Sequence, residues 1–281
     1  MGQIQEKIYF LIKYENDNET VGEYITRQTK PELRPRTKTD KKCVGKYYKL
    51  SNNESKRYIH ILSIIDEYMY EVLEISLIDD RYSVHICNFS SDIPLTSRMT
   101  ERRFNKLYNA ILGLKDRAIN NDALIKDTTP IPYCYVRLNK QLQIKESELL
   151  TLDPSTKMID IKSKIQAENR KQLDNLRYQM IQLRKTHKGK TYIYTEKHHD
   201  HTFIIADSIV DIYIRDTCVA YEIKRYMMIE YDNNQVFRFK LPTNNDIIFD
   251  LTDRKVIGYM PTYVWENEIK EVTKIIKEFK K

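Results

Sequence analysis

Apolar residues recur along the chain with two different periods, and these divide it into strands, a helix, and strands again. Short apolar or alternating runs at 7–13, 58–65, 68–78 and 82–89 predict strands. Asn16-Asp17-Asn18 closes the first run, and Asp79-Asp80 is the turn between the last two. Phe104, Leu107, Tyr108, Ile111, Leu112 and Leu114 then recur at helical spacing behind Thr100, a good N-cap, and predict a helix over 100–117. Residues 133–138 and 142–144 return to extended structure.

Asp153-Pro154-Ser155 marks a boundary, so the chain divides into a β-rich part, 1–153, and a second part, 154–281. The second part opens with a helix over 157–187 that contains neither Gly nor Pro and stops at Gly189. Leu173, Leu176, Met180 and Leu183 form one apolar seam along it. Extended runs follow at 192–194, 202–206, 209–214, 219–229, 236–241, 247–251 and 256–259, with Asp232-Asn233-Asn234 as a turn. An amphipathic helix over 264–279, with Trp265, Ile269, Val272, Ile276 and Phe279 on one face, closes the chain. The expected class is α+β: two β-rich parts joined by a long basic helix, with a C-terminal amphipathic helix.

Composition narrows the picture. With 281 residues, 41% hydrophobic and 31% charged, the chain can bury a sizeable core and does not read as disordered. No run approaches the roughly 18 apolar residues of a membrane span, and no signal-peptide layout opens the chain. An intracellular, cytoplasmic protein without membrane contact is the expectation. Only six glycines are present and no GxGxxG or Walker motif, which argues against glycine-rich phosphate loops. Cys43, Cys87, Cys134 and Cys218 are too widely spaced for a zinc pattern and read as free buried thiols. Abundant Ile, Lys, Asn and Asp, with 21 tyrosines, fit an AT-rich genome such as a phage, a mobile element or a low-GC bacterium. A phage or antiviral-defence setting follows as the expected context.

Charge is concentrated. Residues 27–49 hold nine basic side chains against Glu32 and Asp40, and residues 162–190 hold nine against Glu168 and Asp174. Each stretch carries a net +7, as much as the whole chain. Such cation density seeks a polyanion. Pro31 and Pro35 put the first cluster, with Arg34, Arg36, Lys41, Lys42 and Lys46, on a surface loop. In the second, Arg170, Arg177 and Arg184 recur every seven residues, about 10 Å apart along one helix flank, with Lys171 and Lys185 beside them. Tyrosines lie next to cations at Lys46-Tyr47-Tyr48-Lys49, Arg57-Tyr58 and Arg177-Tyr178, a pairing that serves stacking on bases and holding of phosphates. The expected partner is therefore nucleic acid or an acidic protein. The 173–183 seam offers a homo-oligomer contact, and with it a structural role in an assembly.

One stretch could carry chemistry. If Asp216-Thr217 is a two-residue hairpin turn, Asp211 stands opposite Glu222, and Lys224 lies two residues further on the same face. A three-residue turn would shift the register and turn Asp211 away. Paired carboxylates can hold Mg²⁺, and a nearby ammonium can orient water or steady phosphorane charge. An acidic residue on one strand, an E-x-K on the next and a helix before them resemble the core of the PD-(D/E)XK nucleases over residues 157–226. The resemblance implies Asp211 and Glu222 as metal ligands, Lys224 as a catalytic residue and Glu168 as a further member. Without it, no cofactor is expected. E-x-K recurs at Glu54–Lys56, Glu268–Lys270 and Glu278–Lys280, and a strand, not a helix, follows Glu222-x-Lys224. His198, His199 and His201 read as a solvated hairpin turn, and His60 and His85 as structural residues within strands.

Overall fold

Alternation of apolar side chains carries all the long strands among the described residues into a single sheet. The computed structural model describes residues 36–51, 55–95, 97–138, 155, 158–231 and 236–280. The expected run at 7–13, Arg34, residues 142–144, Asp153-Pro154 and the Asp232 turn lie outside them. The first strands are β1 (Tyr47–Ser51), β2 (Lys56–Ile64), β3 (Met69–Ile78), β4 (Arg81–Ser90) and β5 (Ser97–Met99). Helices α1 (Glu101–Ile119) and α2 (Met158–His187) follow. Then come β6 (Lys190–His198), β7 (His201–Arg215), β8 (Cys218–Tyr231), β9 (Val236–Lys240), β10 (Asp246–Ile248), β11 (Val256–Pro261) and α3 (Thr262–Lys280). The class is α+β, rich in strand.

Strand order is β11-β6-β7-β8-β9-β4-β3-β2-β1-β5, with β10 pairing β8, and every pairing is antiparallel. The short strand β9 joins the two ends, because one edge pairs with β4 and the other with β8. Residues from both sides of position 153 therefore share one sheet. They also share a core. Ile75, Tyr82, Phe104 and Leu107 from the first part pack in one cluster with Ile193, Tyr226, Trp265 and Ile276 from the second. Helices α1 and α3 cover this face, held together by Lys106–Glu278 and Arg117–Glu268 pairs.

Helix α2 lies on the opposite face over β7 and β8. Leu176 and Leu183 are buried there with Ile205, Ile209, Ile212, Tyr221 and Ile223, and Met180 packs against them. Three of the four seam residues expected to offer an oligomer contact, Leu176, Met180 and Leu183, are thus covered by the chain's own sheet. Gly189 ends α2 with φ 78, and its N–H donates to the Ile209 carbonyl at 3.2 Å. Thr100 caps α1, its hydroxyl accepting from Arg103 N–H at 3.3 Å.

Several expectations shift. The first basic cluster is not all loop: its end is β1, where Tyr48 and Leu50 are buried in alternation. The runs at 202–206 and 209–214 are one strand, β7, interrupted by a bulge between Ile209 and Asp211. Residues 133–138 form no full strand; Tyr135 makes a single bridge to Cys218. All four cysteines are free, and each is only partly buried.

Candidate functional site

Asp211 stands opposite Glu222 in the ladder, and Arg215 pairs with Cys218, so Asp216-Thr217 is a two-residue turn. Asp216 takes the left-handed conformation that such turns require, with φ 55. Glu222 and Lys224 share one face of β8 by alternation. The ladder thus brings together the backbones that the E-x-K pattern needs.

Their side chains are committed elsewhere. Strand β6 pairs with β7 only as far as Thr191 opposite Ser208, so beyond it the β7 edge is open to the end of α2. From there Arg184 grips the Asp211 carboxylate with Nη2 at 2.8 Å from both oxygens and Nε at 3.1 Å from one. Lys188 Nζ adds a contact at 2.9 Å. Glu222 accepts from Asn245 Nδ2 at 2.6 Å, and Lys224 lies 3.9 Å from Glu266 on α3. Glu168 lies sixteen positions before Arg184, about 24 Å along the helix, so it does not join Asp211.

The Arg184 guanidinium, with help from Lys188, pulls the Asp211 carboxyl from its ordinary 3.8 down to about 2. A depressed carboxyl stabilises the fold above its unfolded value, and that contribution fades as pH falls from about 4 towards 2. Asp211 is partly exposed, so solvent screening holds the gain to at most about 1 kcal/mol. In Asp211→Asn, the fall of the urea midpoint between those pH values should be shallower than in the parent protein.

A second polar cluster sits on β2, β3 and β4, where ligand atoms of Glu74, His85 and Cys87 lie within 4.8 Å of one another. Both Glu74 oxygens already receive donors: Arg57 Nε at 2.8 Å, Arg57 Nη2 at 2.5 Å and Ser76 Oγ at 2.6 Å. Burial and the neighbouring Glu74 carboxylate push the Cys87 thiol up to about 11, which keeps it protonated. This is a charge-paired network in which a metal would have to displace Arg57.

The cations of α2 fall into two groups. Arg177 pairs with Asp174 at 2.8 Å, and Arg184 is held by Asp211. Lys162, Lys164, Arg170, Lys171 and Lys185 are exposed and make no ion pair among the described residues. Comparison with known proteins adds no relative: no family model, no curated protein and no solved structure matches the chain.

One feature of α2 is not evident from the arginine repeat. Lys164, Lys171, Tyr178 and Lys185 stand seven residues apart on one outward stripe of α2. Tyr178 is 63% exposed and Ile181, one turn on, 45%. The same seven-residue repeat that spaces Arg170, Arg177 and Arg184 spaces this stripe beside them. The first cluster is far away: Lys41, Lys42 and Lys46 are exposed just before β1, six strand spacings from β7, or roughly 29 Å, and the exposed Arg36 lies over the Tyr68 ring. Asp40 caps the turn Lys41–Cys43 there.

Proposed function

We propose that this protein binds nucleic acid through the outward stripe of α2. The observation that carries it is the run Lys164, Lys171, Tyr178, Lys185, with no carboxylate paired to its lysines among the described residues. At 1.5 Å per residue this stripe extends about 30 Å, long enough to follow several phosphates. Tyr178 favours nucleic acid over an acidic protein, because an exposed ring flanked by ammonium groups offers a stacking face beside phosphate contacts. Arg170 lies on the adjacent stripe and adds to the field. Arg177 and Arg184 contribute less, since each already has a carboxylate.

Replacing Lys164, Lys171 and Lys185 together by Gln should weaken duplex DNA binding. The slope of log affinity against log salt should become less negative by roughly 2 to 3, one phosphate contact per lysine. Fluorescence anisotropy across a salt series reads this out. An unchanged slope removes α2 as the interface, and no binding by the parent protein removes the reading.

A Mg²⁺-dependent nuclease stands second, supported by the register of Asp211 opposite Glu222. Mg²⁺ would have to draw Asp211 away from Arg184 and Lys188, which weighs against it. Glu222→Gln is the test, since only a ligand role makes cleavage depend on that charge.

A further inference from the structure

We infer that a second surface, at the closed end of the β7–β8 hairpin, stacks bases of a single-stranded nucleic acid. This rests on the nucleic-acid reading above and adds strandedness to it. The segment after Ile131 lies along the edge of β8. Val136 N–H donates to Thr217 O, and Val219 N–H donates to Cys134 O, each at 2.9 Å. Cys134 and Val136 turn into the cluster beneath α2. Alternation sends Tyr133, Tyr135 and Arg137 to the opposite face.

On that face the register builds two rows. Tyr135 bridges to Cys218, which pairs with Arg215 on β7. One step on, the same register sets Tyr133 beside Ala220, which pairs with Tyr213. Cys218 and the fully covered Ala220 therefore lie between Tyr133 and Tyr135 on one side and Tyr213 and Arg215 on the other. The Tyr133 hydroxyl lies 3.8 Å from Cys218 Sγ, which fixes where its ring leans.

The rings of Tyr133 and Tyr135 are parallel to within 2°, with centroids 6.4 Å apart. They are 44% and 51% exposed. The pair therefore presents outer π-faces to solvent on which bases can stack. Exposed parallel rings with unused π-faces suit unpaired bases, because duplex bases already stack on one another.

Two guanidinium groups at the rim can contact phosphates. Arg137 and Arg215 make no ion pair among the described residues, and the Arg215 guanidinium lies 6.0 Å from the Phe249 ring centre. Carboxylates stand nearby as well: Asp250, which accepts from the Thr252 N–H and hydroxyl, Glu222, which accepts from Asn245, and Asp216 at the turn.

The test is anisotropy binding of labelled oligo-dT, oligo-U and a DNA duplex to four proteins. These are the parent, Tyr133→Ala/Tyr135→Ala, Tyr133→Phe/Tyr135→Phe and Tyr263→Ala, an exposed tyrosine on α3. The double alanine variant should lose roughly 5- to 100-fold per ring for single strands, with duplex affinity kept. The double phenylalanine variant should bind as the parent does, since stacking needs the ring and not the hydroxyl. Tyr263→Ala should change nothing. The oligo-dT and oligo-U arms show whether deoxyribose or ribose strands are preferred. Duplex binding with unchanged single-strand affinity in the double alanine variant overturns this inference and leaves the α2 reading intact. Failure of the parent to bind any of the three ends both.

Discussion

Asp207→Ala is expected to lower the unfolding free energy by about 3–5 kcal/mol, the usual cost of breaking a buried ion pair from one side. Asp207 on β7 is fully buried and stands opposite Arg225 on β8. Its two oxygens accept from Arg225 Nε and Nη2, each at 2.8 Å. Removing the carboxylate leaves a guanidinium that is mostly enclosed and has lost both its strong acceptors. A typical domain is stable by only about 5–15 kcal/mol, so this single change would remove a large share. Replacing both members by apolar residues, Asp207→Leu with Arg225→Met, should cost less than the alanine change alone, because no charge is then left unpaired. Urea midpoints of the three proteins decide the matter. A loss below about 1 kcal/mol for Asp207→Ala would mean that water reaches the pair.

Trp265→Ala should cost a similar amount, about 3–5 kcal/mol, by loss of transfer energy and by the cavity left behind. Trp265 is fully buried at the start of α3 and meets the Tyr226 ring edge-on, with centres 5.6 Å apart. Its Nε1–H has no acceptor among the described residues, so Trp265→Phe gives up ring area without stranding a polar partner and should cost clearly less. The cluster around Trp265 draws from β3, β4 and α1 as well as from β6, β8 and α3. Hydrogen exchange in Trp265→Ala should therefore speed up in β3 and in β8 together. Acceleration confined to β8 would show that the two ends of the sheet unfold separately.

Particular residues show what was legible beforehand. The three α-helices among the described residues were expected within about two residues of their ends, because Phe104, Leu176 and Trp265 each belong to a local 3.6-residue repeat. Strand β1 was hidden, because Lys46 and Lys49 masked the alternation of Tyr48 and Leu50. Strand β7 was split in two, because the polar pair Asp207-Ser208 interrupts its apolar run, and only its distant partners Arg225 and Thr191 let both be buried within the strand. In the site, turn length was enough to set Asp211 against Glu222. Nothing local could show that Arg184, twenty-seven residues earlier, holds Asp211. Tyr133 and Tyr135 carried a readable signal, alternation ending in Arg137, that was lost among 21 tyrosines.

By itself, then, the sequence determined the class of each long element, the capping at Thr100 and Gly189, the turn at Asp216-Thr217 and the concentration of positive charge. These depend on neighbours within a few residues, where periodicity and backbone preference act directly. The tertiary structure decided the rest: that β9 joins both ends into one sheet, that most of the α2 seam is covered, and which cations are neutralised. A strand's partner and a charge's counter-ion are chosen by contacts between distant segments, whose energies no short window of sequence contains.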